Sequence, residues 1–232
     1  MKLITRLSIL SLLCASILPA SATLLETFSL PGSQETTIWT NLSSGNTGLV
    51  PASGTGTLGV VSPGYQASAG LYSFMGDYSI TVTKSGLAWD AQTVILQVEV
   101  APNPEFAWPY NGGPLLSYNG GSQAISTPDF TFIGTEFRAD VFGGTTFNTY
   151  AFQWDLSSVP DSITSFSISV PISVHTSAVA VQVDAGSNYV QAIPEPSTWL
   201  LLGIGLSALV IFRARQNVRA GGCFPPSNVS RD

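Results

Sequence analysis

Runs in which apolar and polar, mostly hydroxyl-bearing, side chains alternate recur between residues 78 and 183, and this period of two constrains the chain more than any other feature. Tyr78, Ile80 and Val82 alternate with Ser79, Thr81 and Thr83, and Val94, Leu96, Val98 and Val100 share a face against Gln97 and Glu99. Phe166, Ile168, Val170, Ile172 and Val174 alternate with serines and Pro171, and Val179, Val181 and Val183 follow after a short turn. Successive side chains of a strand point to opposite faces, so each run predicts a half-buried β-strand. Residues 130 to 142 and 147 to 156 add two more strands, separated by Gly143-Gly144, which suits a tight hairpin. No stretch from 23 to 190 carries sustained helical spacing with caps. Eight or more short strands predict an all-β fold, an antiparallel β-sandwich with a jelly roll among its forms, because each sheet must bury one face against another. Pro171 inside a strand pattern predicts an edge or a bulge. The Gly-, Ser-, Thr- and Asn-rich stretch from 42 to 59 predicts a long loop or ragged edge.

Hydroxyls rather than charges solvate this surface. The chain has 30 serines and 21 threonines among 232 residues, and charged residues are only 9% against roughly 25% in an average soluble domain. Hydrophobic content of 44% supplies a core, so disorder is excluded. The net charge of −6 leaves no basic stripe for phosphates, which excludes nucleic acid as a partner.

The cations are segregated. Lys2 and Arg6 open the chain, Arg213, Arg215, Arg219 and Arg231 close it, and only Lys84 and Arg138 stand between. Behind Lys2 and Arg6 an apolar run from 7 to 18 leads to Pro19-Ala20-Ser21-Ala22, where the small Ala20 and Ala22 suit a signal peptidase cut after Ala22. Residues 1–22 therefore read as a removed signal peptide. Twelve apolar residues make about 18 Å of helix, too short to span a bilayer easily. Leu12-Leu13 before Cys14 lack the small residue of a lipoprotein box. With Cys14 removed, only Cys223 remains, so no intramolecular disulfide can form and stability rests on the core. Residues 23 to 196 hold 2 basic and 13 acidic side chains, which favours neutral sugars or divalent cations over anionic partners.

A second apolar stretch, 199–212, runs from Trp199 to the cluster Arg213-Ala214-Arg215. At about 21 Å of helix it is short for a bilayer core, but Trp199 suits one interface and Arg213 and Arg215 hold the other end in the cytoplasm. One short C-terminal transmembrane helix is expected there. Immediately before it stands Ala192-Ile193-Pro194-Glu195-Pro196-Ser197-Thr198. Pro194-Glu195-Pro196, a short glycine-containing apolar helix and an arginine cluster together resemble the PEP-CTERM sorting signal of Gram-negative bacteria that make exopolysaccharide. The resemblance is confined to about residues 192–215. It implies processing by an exosortase, a membrane cysteine protease that cuts near the Pro-Glu-Pro site, and transfer of the ectodomain from a transient inner-membrane intermediate to the outer surface or matrix. The two prolines keep this stretch extended and unpaired, where a protease can reach its backbone. One departure stands out: family members usually stop soon after the arginines, whereas this chain continues as a polar tail, 216–232. The organisation expected is thus a signal peptide (1–22), one exported β-sandwich domain (23–191), the sorting segment (192–215) and the tail.

Motifs for catalysis are sparse. Gly54-Thr55-Gly56-Thr57-Leu58-Gly59 fits a dinucleotide-turn pattern, yet the following Val60-Val61-Ser62-Pro63-Gly64 cannot open the helix that such a turn needs. Thr55-Gly56-Thr57 and Thr81-Val82-Thr83 lack the fixed period of an ice-binding ladder. His175, the only histidine, excludes a two-histidine metal site and reads as a surface strand residue. No cofactor and no metal site are expected, and no catalytic residue is assigned. Glu99, Glu105, Asp129, Glu136 and Asp140 could supply the carboxylate pair of a glycosidase, but no spacing singles one pair out. The loop from 103 to 123 carries Trp108, Tyr110, Tyr118 and a duplicated Tyr-Asn-Gly-Gly. Such rings either stack on the C–H faces of sugars, matching an exopolysaccharide or surface glycan, or cap the core at turns. The expectation is an exported surface protein with a structural or carbohydrate-binding role, not an enzyme; a secreted polysaccharide-active hydrolase is the alternative.

Overall fold

The computed structural model describes residues 24–103, 105, 113–127, 130–139 and 144–192. The expected signal peptide, the expected membrane helix 199–212 and the polar tail 216–232 lie outside them. The described residues form twelve strands: β1 (Gln34–Trp39), β2 (Thr57–Val61), β3 (Tyr65–Ala67), β4 (Gly70–Tyr72), β5 (Tyr78–Lys84), β6 (Thr93–Ala101), β7 (Leu115–Tyr118), β8 (Ile125–Ser126), β9 (Phe130–Arg138), β10 (Thr145–Asp155), β11 (Phe166–Ile172) and β12 (Ser177–Gly186).

These strands make two antiparallel sheets, as the alternation predicts. The larger runs β3-β4-β12-β6-β10-β9, and β1 lies on the same side of β12 as β4. The smaller runs β2-β5-β11-β7-β8. Their inner faces meet in one core: Trp39, Val98, Phe152, Trp154 and Val181 come from the first sheet, Ile80, Val82, Leu116, Ile168 and Val170 from the second. Aromatic side chains with polar tips tie the sheets together. The Tyr78 hydroxyl, on β5, donates to the Leu71 carbonyl of β4 (2.7 Å), and the Trp154 Nε1, on β10, donates to the Ile125 carbonyl of β8 (2.9 Å). Burial raises the Tyr78 pKa well above its ordinary value, so the phenol keeps its proton.

Local expectations hold in outline, with three further adjustments. Strands β9 and β10 pair with Arg138 opposite Thr145, so six residues, 139–144, connect them where Gly143-Gly144 suits a tighter turn; Gly144 takes a positive φ of 101°. Pro171 stands beyond the end of β7, which pairs with β11 only from Phe166 to Ser169, so one side of the proline faces no strand. The first adjustment concerns β12, where a bulge between Ala178 and Ala180 turns Val179 away while Val181 and Val183 face the core. The second concerns the Gly-rich stretch before β2: Leu42 and Leu49 are buried, and Trp39 Nε1 donates to the Leu49 carbonyl (2.8 Å), so this loop closes one end of the core.

The third adjustment matters most. Strand β6 is not half-buried: from Thr93 to Val100 every residue is buried. Its outer face carries Ile95, Gln97 and Glu99, and the segment 26–30 crosses over Gln97 and Ile95. The Glu26 amide donates to Gln97 Oε1 (2.8 Å), and Gln97 Nε2 and Gln182 Nε2 both donate to the Glu26 carbonyl. Leu30, Ile95 and Ala151 form a second small core, packed by Phe28, Ile133, Val190 and Ala192. Asp184 lies fully buried beside this row, accepting from Thr36 Oγ1 and Gln182 Nε2. Burial raises its pKa, and those hydrogen bonds offset part of the shift.

Candidate functional site

The β3–β4 hairpin turns through Ser68 and Ala69 and sets Tyr65 opposite Tyr72. Gly70 is needed there: its φ is 142°, and a Cβ would press into the Ala178 carbonyl of β12. Just beyond β4 comes Phe74, 65% exposed, followed by Met75, 87% exposed. The three rings form a cluster. Tyr72 and Phe74 meet edge to face with centroids 4.6 Å apart, while Tyr65 and Phe74 lie 6.4 Å apart and are inclined by 27°.

His175 completes this surface from the turn between β11 and β12. Its ring centroid lies 6.0 Å from that of Tyr72 and 6.1 Å from that of Phe74, and its Nδ1 is 2.8 Å from the Tyr72 hydroxyl. The sequence places His175 at the end of a strand. It is exposed, as expected, but sits in a turn with φ of 62°, a left-handed conformation uncommon outside glycine. Its amide donates to the Ser73 carbonyl (3.1 Å), which fixes the turn against the loop that carries Phe74. Burial raises the Tyr72 pKa, and Tyr65 adds to the shift, so the hydroxyl beside the imidazole stays protonated.

Of this four-ring surface the sequence singles out only His175, and only as a surface strand residue. A signal was present in the repeat of Tyr65 and Tyr72 around a two-residue turn, and in Phe74-Met75 before Gly76, where two large apolar side chains occupy a loop. Trp108 and Tyr110 lie outside the described residues. Tyr118 ends β7, opposite Phe166, and packs half-buried against the core. The turn after it is the one that Asn-Gly predicts: Asn119 and Gly120 both take positive φ, and the Gly121 amide donates to the Tyr118 carbonyl (2.9 Å).

The candidate carboxylates separate in the same way. Asp129 and Asp140 lie outside the described residues, and Glu105 is exposed. Glu99 and Glu136 come together on one guanidinium. Glu99 Oε1 pairs with Arg138 Nη2, and Glu136 Oε2 takes the same nitrogen at 2.7 Å and Arg138 Nε at 2.9 Å. Glu99 is fully buried, and burial raises its pKa although the guanidinium pulls it down. Lys84 is also buried, paired with Glu35 and donating to Thr55. That contact shows the Gly54–Gly59 motif in use: it holds a cation and leads into strand β2 rather than a helix.

After β12 the chain folds back over the large sheet. Gln153 clamps it on β10: its Nε2 donates to the Val190 carbonyl, and its Oε1 accepts from the Ala192 amide (3.1 Å). The body therefore holds its own C-terminal stem to the last described residue. Residues 192–216, beginning at this clamp, match the family model described as the PEP-CTERM protein-sorting motif.

The chain carries a PEP-CTERM sorting signal. With it come export, an intermediate anchored in the membrane by the C-terminal segment, and processing by an exosortase. No curated protein matches the chain. Pro194, Glu195, Pro196, Trp199, Arg213 and Arg215, and Ala20 and Ala22 at the other end, lie outside the described residues.

Proposed function

We propose that the exported sandwich acts on the outer surface or in the matrix as a structural or binding module for neutral carbohydrate, with Tyr65, Tyr72, Phe74 and His175 as its contact surface. The observation that carries this reading is an exposed aromatic cluster in a body whose two cations are already engaged. Lys84 pairs with Glu35 and Arg138 with Glu99 and Glu136, so an anionic ligand finds little to meet. Ring faces flanked by a hydroxyl and an imidazole suit the C–H faces and hydroxyls of a sugar. Phe74→Ala and Tyr72→Ala are each expected to weaken retention on the producer's purified exopolysaccharide by about tenfold, or ~1.4 kcal/mol. Unchanged retention in both would overturn the reading. Trp108→Ala and Tyr110→Ala test the rings of the 103–123 loop by the same assay.

Six residues, 193–198, separate the clamped Ala192 from Trp199. Fully extended they reach only about 25 Å, so before the cut the sandwich stays close to the bilayer surface. Intact-mass measurement of the surface protein should find no peptide beyond about Pro196. A full-length C-terminus in wild-type cells would count against processing.

A secreted hydrolase using a carboxylate pair is the second reading, favoured by the meeting of Glu99 and Glu136. Cleavage of the polymer by the ectodomain, lost in Glu136→Gln, would support it. The complete burial of Glu99 supports the binding role instead.

A further inference from the structure

Two buried polar atoms among the described residues have no hydrogen-bond partner, Glu99 Oε2 and Thr149 Oγ1. They are neighbours: Glu99 on β6 stands directly opposite Thr149 on β10. Orphaned buried groups cost free energy, and two on one cross-strand pair point to a missing donor. The local charge is unbalanced as well, since Glu99 and Glu136 share the single guanidinium of Arg138. A metal ion is a poor candidate, because among the described residues no group of three His, Cys, Asp or Glu side chains is placed to hold one.

The N-terminal segment heads for this spot. It passes Ile95 at Leu30 and Gln97 at Glu26, which is two residues short of Glu99 on the same face. At Leu24 it reaches Gly134, where Leu24 Cδ1 lies 3.6 Å from the position that a Cβ would take. Gly134 pairs with Thr149, so Leu24 stands over the strand beside the two orphaned atoms. One residue further back is Thr23, the first residue after the cut expected behind Ala22. Its nitrogen lies within about 5 Å of the Leu24 Cα in any conformation.

We propose that Glu99 is the receptor of the α-ammonium group that signal peptidase creates at Thr23. In the precursor this nitrogen is an uncharged amide with one proton. Hydrolysis of the Ala22–Thr23 bond turns it into an ammonium with three donors and a positive charge. Two donors go to Glu99 Oε2 and Thr149 Oγ1, and the charge balances the second carboxylate. Removal of the signal peptide thus completes the outer face of the sheet. The inference rests on export and on the cut after Ala22; it does not depend on the carbohydrate reading.

Only Lys2 and Lys84 are lysines, so the processed chain has two amines, the α-amine and the buried Lys84. The test uses protein exported by cells, its N-terminus read by mass spectrometry, and its α-amine labelled with an acylating reagent at pH 7. An α-amine ordinarily titrates near 7.7–8.0, and pairing raises that value. Labelling of the wild type is expected to be at least tenfold slower than that of Glu99→Gln. A variant with one alanine inserted between Ala22 and Thr23 keeps Glu99 but displaces the ammonium, and it too should label fast. That variant decides the matter if Glu99→Gln fails to fold. Equal labelling of the wild type and the insertion variant, or a mature N-terminus at any residue but Thr23, would overturn the proposal.

Discussion

Arg138→Met lowers the unfolding free energy by about 3 kcal/mol, read by urea denaturation of the exported protein. Glu99 is fully buried and gives Oε1 to the guanidinium, whereas Arg138 is 19% exposed and bridges to Glu136. Removing the guanidinium leaves a carboxylate in a site that cannot solvate it. Breaking such a pair costs about 3–5 kcal/mol, and the low end applies because Glu99 can take up a proton instead of remaining charged. Methionine preserves the alkyl stem beside Phe147, whose ring centroid lies 4.4 Å from the guanidinium carbon. The loss therefore reports charge rather than packing. Adding Glu99→Gln should recover part of it, since the carboxylate left without its guanidinium is then gone, while the α-ammonium loses its charged partner. A change below about 0.5 kcal/mol in the single variant would mean that water reaches Glu99.

Trp39→Ala is the other large effect, with about 4 kcal/mol of destabilisation expected. Trp39 is 1% exposed and is among the largest fully buried side chains, so truncation leaves a cavity between the sheets. It also removes the donor to the Leu49 carbonyl, the bond that seats the loop before β2. Leu49 adopts a positive φ of 49°, so this part of the loop is strained and relies on its anchor. Trp39→Phe separates the two contributions. It keeps most of the packing and loses the hydrogen bond, and about 1–2 kcal/mol is expected. Susceptibility of residues 40–56 to proteolysis should rise in both variants. Equal stability of Trp39→Phe and wild type would assign the whole effect to packing.

Where strand patterns ran for seven residues or more, the structure follows them closely. Strand β5 keeps Tyr78, Ile80, Val82 and Lys84 buried and the residues between them half-buried, which is what one covered face requires. Strand β6 shows the limit of this reasoning. Its Gln97 and Glu99 look like solvent-facing residues, yet a chain segment 71 residues away in sequence lies across Gln97 and satisfies it with its backbone, while Arg138 meets Glu99. Alternation reports the two faces of a strand, but it does not report what else the chain lays over the polar one. The aromatic surface escaped notice for a similar reason: Tyr72 and His175 are 103 residues apart and meet only because β4 and β12 pair.

Export, the sorting motif and the all-β class were legible because each depends on local quantities: the length of an apolar run, the sign of its flanking charges, two prolines outside it, a period of two. These act on the membrane, on a protease or on the backbone without reference to the rest of the chain. The buried Glu99–Arg138–Glu136 cluster, the Gln153 clamp on the stem and the four-ring surface arise from pairings between distant strands and from terminal segments folded back over a sheet. Desolvation and charge pairing are properties of those assembled neighbourhoods, and only the tertiary structure creates them.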